Sequence, residues 1–247
     1  MLKKTFCCGG LGKRFILQQQ QTAPHLTTTA SVPIMSQDKN RVFIYWDNSN
    51  IFIGARELAE EREEGPDVRY RVRVHFANML RLAHADRPVA KAVLTGSVPP
   101  ELRTHWNKLE AEGVEVHLFD RGDSGRGEQE MPDRMLQLQM LEDGFDNNGN
   151  PGTVVLLTGD GAGFYDGIGF HSTVERLHKR GWQIEILSWG STCNQRMRKW
   201  AEKNGVFVSL DDYYSAVTFL EPSRPGQTLA KSRPEEDMDL SQRFGVK

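Results

Sequence analysis

Cysteine is nearly missing from this chain. Its 247 residues hold only Cys7, Cys8 and Cys193, too few for a disulfide framework and without metal-ligand spacing. Such usage fits a reducing compartment, and the cytoplasm is the expected location. Long hydrophobic runs are also absent, so no segment is expected to span a bilayer. Neither sign of charge dominates: 31 Lys and Arg against 33 Asp and Glu give a net charge of −2. Binding to nucleic acid would therefore need a local basic face. The glycines of Gly159–Gly169 are followed by no Lys-Ser/Thr and do not form G-x-G-x-x-G, which excludes the P-loop and the dinucleotide fingerprint. Asp143–Gly152 is rich in acids and asparagines but lacks the EF-hand spacing and closing Glu. No two histidines stand at metal spacing.

Residues 1–40 differ from the rest, with a Gln18–Gln21 run, a Thr27–Thr29 run and no acid before Asp38. Lys3, Lys4, Lys13 and Arg14 precede no apolar core of a secretory signal. A disordered leader is expected, with a start at Met35 or an organellar transit peptide as alternatives. Residues 221–247 hold three prolines and mixed charge without periodicity, which reads as a disordered tail. The domain is then 41–220.

Within it, apolar strand-like runs alternate with helical patterns. Strands are expected at 41–46, 89–96, 114–119, 153–158, 182–188 and 206–210. Helices are expected at 51–64, 68–85, 101–112, 131–142, 172–180, 193–204 and 212–220. This alternation predicts an α/β fold with a mostly parallel sheet. Val72, Phe76, Met79, Leu80 and Ala83 keep helical spacing, which makes 68–85 one amphipathic helix.

Two strand ends stand out. RVFIYW runs straight into Asp47-Asn48-Ser49-Asn50, and TVVLLT into Gly159-Asp160. Near-continuous apolar runs suit central parallel strands, and open α/β sheets place their chemistry beyond the carboxyl ends of such strands. Asp47 or Asn48 is equally suited to cap the following helix. If the two strands are neighbours, the carboxylates of Asp47 and Asp160 converge, and a hard cation, Mg²⁺ or Mn²⁺, is their natural partner. Asp133, at a helix start, would reach the same edge. Asn50 would ligate or hold a water. A metal in this place serves phosphodiester hydrolysis.

YWDNSNIF, then Asp133, then LLTGD, then FVSLDDYY resemble, in that order, the NYN domain of the PIN-like nuclease superfamily. The resemblance implies a three-layer α/β/α sandwich and a metal-dependent ribonuclease. It implies Asp47, Asn50, Asp133 and Asp160 as catalytic residues, with Asp47, Asp133 and Asp160 on the metal. Asn48, Thr158 and Asp166 are supporting candidates. Arg196, Arg198 and Lys199, on the helix of 193–204, are candidates for contact with RNA, and homo-oligomerisation is left open. The pattern also departs from the family: Ala162 and Gln139 stand where acids are often found, and Glu130-Met131-Pro132 replaces a Lys-Gly. An RNA-binding adaptor without catalysis is therefore the alternative. A haloacid-dehalogenase-like phosphatase fits less well, because Asn50 replaces the second acid of D-x-D.

Overall fold

Val42, Phe43, Ile44, Tyr45 and Trp46 are β-branched or aromatic, and all are buried. Such residues suit an extended strand covered on both faces, and they form the centre of the sheet. The computed structural model describes residues 40–62, 65, 67–97, 106–119, 131–159, 167–222, 233, 238–240 and 243. All that follows concerns the unit Gln37–Lys247. The expected leader of residues 1–40, apart from Asn40, lies outside the described residues.

In chain order, β1 (Val42–Asp47) leads into α1 (Asn48–Glu61). Then come α2 (Val68–Arg71), β2 (Val72–Val74), α3 (Phe76–His84) and β3 (Val89–Ser97). The chain continues through α4 (Asn107–Ala111), β4 (Glu115–Phe119), α5 (Met131–Asp146) and β5 (Thr153–Leu157). Next are α6 (Gly169–His178), β6 (Gln183–Ser188), α7 (Gln195–Asn204) and β7 (Val206–Ser209). A 3-10 turn (Leu210–Tyr213), α8 (Tyr214–Val217) and β8 (Thr218–Leu220) follow.

Six strands form one sheet in the order β4-β3-β1-β5-β6-β7. Every neighbouring pair in it is parallel. Because successive side chains of a strand point to opposite faces, β1 divides its residues between two cores. Val42, Ile44 and Trp46 pack with α1, α3 and α4. Phe43 and Tyr45 pack with α5, α6 and α7. The result is the expected helix–sheet–helix sandwich.

Two helices predicted as continuous are broken. Residues 68–85 bend at β2, because Val72–Val74 pair antiparallel with Thr218–Leu220. The same pairing ends the expected helix of 212–220 at Val217. Two Val residues in three favour strand once a partner is present, and the partner lies far along the chain. The helix expected at 131–142 continues to Asp146, into the segment read as a turn. Its last turns are pinned to the sheet: Tyr45 donates to Asp143 Oδ2 at 2.7 Å and Lys91 pairs with Oδ1 at 3.2 Å. Burial and the Asp143 charge hold the Tyr45 phenol far above its ordinary pKa.

The expected disordered tail differs at the residues the structure describes. Arg233 bridges to Leu220, Met238 is buried and joins the first core, and Arg243 is buried. The Arg243 guanidinium donates to Glu185 Oε2 at 2.6 Å and to the Leu82 carbonyl at 3.1 Å. Arg87 meets the same carboxylate through both oxygens, at 2.6 and 2.8 Å. Burial opposes the charge on Glu185, but hydrogen bonds and positive charge from Arg87 and Arg243 outweigh it and hold the carboxyl below its usual range.

Candidate active site at the carboxyl edge of the sheet

Numbered among the six parallel strands alone, the sheet order is 3-2-1-4-5-6, and the direction of winding reverses between β1 and β5. Crevices at such a switch point, outside the carboxyl ends, are where open α/β sheets bind ligands. Asp47 ends β1 at this crevice and is 3 % exposed. Its Oδ1 accepts from the backbone N–H of Asn50 at 3.1 Å, so it caps α1. Its Oδ2 accepts from the Thr158 hydroxyl at 2.9 Å. The side chain therefore has both of the roles open to it in the sequence: it starts a helix and faces the neighbouring strand end.

Asn50 supplies a second bridge. Its Oδ1 accepts from the Gly159 backbone N–H at 2.8 Å. The oxygen of Asn50, expected to ligate a cation or hold a water, thus accepts from the backbone just past β5, and the Nδ2 donors are the part of the amide suited to a water or a phosphate oxygen. A Cβ on Gly159 would lie 2.8 Å from Asn50 Oδ1 and 2.9 Å from the Thr192 carbonyl, so only glycine allows the strand ends to close in this way. The Gly159 carbonyl accepts from Asn194 N–H at 2.9 Å, and the Asn194 side chain caps α7 at the N–H groups of Arg196 and Met197. Trp189, just past β6, donates its indole N–H to the Ile51 carbonyl at 2.8 Å and so ties α1 to the same edge.

Asp133 lies in the first turn of α5. Two contacts orient this helix: Arg41 reaches Asn147 at 3.0 Å, and Tyr45 reaches Asp143. Moving up β1 from Arg41 to Tyr45 thus moves back along α5 from Asn147 to Asp143. The helix runs antiparallel to the strand. Asp133 is ten residues further back, about 15 Å along the axis, so the start of α5 lies on the Tyr45 face towards the side of the sheet where the strands end. Asp160 and Asp166 lie outside the described residues, as do Asp120, Ala162 and residues 121–130. Among the described residues no group of three or more His, Cys, Asp or Glu side chains is placed to hold a metal ion.

Parallel register shows what the sequence reading missed. Asp47 pairs with Thr95 and Thr95 with His117. Thr158 and Ser188 each follow the paired residues Leu157 and Leu187, and Ser188 pairs with Ser209. One polar row therefore crosses the sheet, His117–Thr95–Asp47–Thr158–Ser188–Ser209. It caps the apolar row Val93–Tyr45–Leu156–Ile186, which belongs to the second core. Thr95, Thr158 and Ser188 are fully buried. A sequence signal for Thr95 existed: Leu94-Thr95-Gly96 ends β3 as Leu157-Thr158-Gly159 ends β5.

Asn48 is half-buried at the start of α1, against Gly96. Arg196 and Lys199 are exposed on α7. Arg198 is engaged with Glu202 at 2.9 Å and over the Phe207 ring at 4.8 Å. Cys193 is a buried free thiol whose pKa is pushed up by burial.

A parallel sheet wound both ways from a buried aspartate, with a second strand end bonded to it, defines a doubly wound α/β domain. The NYN domain profile matches residues 41–208, about two-thirds of the chain, and the chain belongs to this family. A crystal structure of a protein of unknown function from Vibrio parahaemolyticus RIMD 2210633 shares the fold. It has a TM-score of 0.52 and 22 % identity, over 72 % of this chain and 98 % of that one. No curated protein matches the chain.

Proposed function

We propose that this chain is a metal-dependent ribonuclease that hydrolyses phosphodiester bonds at the edge shared by β1 and β5. The observation that carries the reading is the double bridge between the two strand ends, Thr158 to Asp47 and Gly159 to Asn50. It sets the buried Asp47 carboxylate at the switch point of the sheet, and Asp160 is the residue that follows Gly159 in the sequence. The donor set of Asp47, Asp133 and Asp160 is all carboxylate oxygen, which fits a hard cation such as Mg²⁺ or Mn²⁺. When bound, that ion polarises the scissile phosphate and makes a hydroxide available at neutral pH.

The remaining roles fall to the chain itself. Asp47 holds its carboxylate fixed between the Asn50 amide and the Thr158 hydroxyl. Asn50 directs its Nδ2 donors, and Asp133 adds negative charge from α5. RNA is held through its phosphates by the layer of α6 and α7. Along α6, the turn after it and α7, the cations Arg176, Lys179, Arg180, Arg196, Arg198, Lys199 and Lys203 accompany the acids Glu175 and Glu202, against a net charge of −2 for the whole chain.

A second reading, an RNA-binding adaptor that keeps the fold without catalysis, is favoured by Gln139 and Ala162 at places where the resemblance expects acids. Asp47→Asn separates the two. Mixed RNAs incubated with Mn²⁺ should be cleaved by the wild type, while the variant, retaining its fold, should leave them intact. Equal cleavage by both excludes this site. RNA bound but left whole by the wild type favours the adaptor.

A further inference from the structure

Thr95 is the neighbour of Asp47 on the β3 side, as Thr158 is on the β5 side. The Thr158 hydroxyl is bonded to the carboxylate. The Thr95 hydroxyl is buried and, among the described residues, has no hydrogen-bond partner. A buried hydroxyl without a partner opposes folding, and a valine of the same shape would not. Buried polar atoms of this kind are commonly matched by an ordered water.

The surroundings narrow what that water belongs to. Asp47 and Thr95 share the face of the sheet that carries Tyr45 and Val93. The same face is covered by α5, whose first turn carries Asp133. A buried hydroxyl in register with the Asp47 carboxylate can accept a hydrogen bond from a water bound to a cation. Mg²⁺ in particular retains several of its waters in proteins. We propose that Thr95 is a positioning residue of the candidate site. It holds a water of the cation bound at Asp47, so that outer contacts make up for acids the site lacks. The inference rests on the metal-dependent reading of the site and assigns Thr95 a part in it that neither the D-N-x-N nor the T-G-D motif contains.

The test uses the full chain and Mn²⁺ itself, titrated with the free ion followed by electron paramagnetic resonance, beside thermal unfolding without metal. Thr95→Val should unfold at the wild-type temperature or above it, because an unmatched polar group has been removed. Its Mn²⁺ affinity should fall about tenfold, the lower end of what loss of an outer-shell partner costs. Thr95→Ser should restore the affinity. Asp47→Asn is the control and should abolish binding. Thr95→Val with wild-type affinity, in a protein whose Asp47→Asn form has lost it, overturns the role of Thr95 and leaves the site standing. A wild type that binds no Mn²⁺ overturns both. A Thr95→Val protein that unfolds well below the wild type shows that the hydroxyl serves the fold, and overturns the inference as well.

Discussion

Removing the Thr158 hydroxyl by Thr158→Val tests the bridge on which the site depends. Valine keeps the shape of threonine, so no cavity opens, and the change is confined to one O–H. That O–H donates at 2.9 Å to Asp47 Oδ2, and both residues are buried. A hydrogen bond to a charged group contributes about 1.5–3 kcal/mol. For a domain of this size each kcal/mol moves the melting temperature by roughly 2–4 °C. Thr158→Val should therefore melt roughly 3–12 °C below the wild type. The cost of losing a bond to Asp47 is distinguished from a general cost by a cycle with Asp47→Asn, made alone and in combination. Asn retains the cap on α1 but removes the charge, so Thr158→Val should cost much less in that background. The coupling should be at least about 1 kcal/mol. Additive effects within about 0.5 kcal/mol would show that Thr158 and Asp47 are not joined, and the account of the paired strand ends would fall.

Arg243→Ala should destabilise the domain by about 3 kcal/mol at pH 7, because it strips one partner from the buried carboxylate of Glu185; urea unfolding measures this. The folded pKa of Glu185 is depressed. Its contribution is therefore present above the ordinary carboxylate range and is lost as pH falls through the folded value. The gap between wild type and variant should narrow on acidification, and a constant gap would contradict the ion network. Neutralising Arg196 and Lys199 together should weaken RNA binding and make the dependence of log affinity on log salt shallower by one to two. Filter binding at several salt concentrations reads both, and an unchanged slope would leave α7 a solvated face.

Much of this fold was legible because its signals are local. The six strands of the sheet show as short β-branched and aromatic runs, and the turn residues between them mark the ends. The strand ends at Asp47 and at Gly159-Asp160 stood out in advance because each closes a strongly apolar run, and β1 and β5 are indeed neighbours. The remainder depends on partners remote in sequence. Val72–Val74 keeps a helical spacing and becomes strand only because Thr218–Leu220 lies beside it. Arg243 carries no periodic signal, and its burial follows from a carboxylate 58 residues away. Asn50 was expected to ligate a cation or to hold a water, and its oxygen accepts from a backbone amide that only the folded strands bring near. Thr95 had its tripeptide in common with Thr158, and its importance appears only when parallel register sets it beside Asp47.

The double duty of Asp47 has a consequence for how such a protein changes over generations. Asparagine can begin α1 as well as aspartate does, so a single exchange at this position would extinguish the negative charge while sparing the architecture. Shape alone is then no witness to activity in descendants of this chain; on the ribonuclease reading proposed above, the chemical identity of one atom, oxygen or nitrogen at the tip of residue 47, would separate a hydrolase from its silent double.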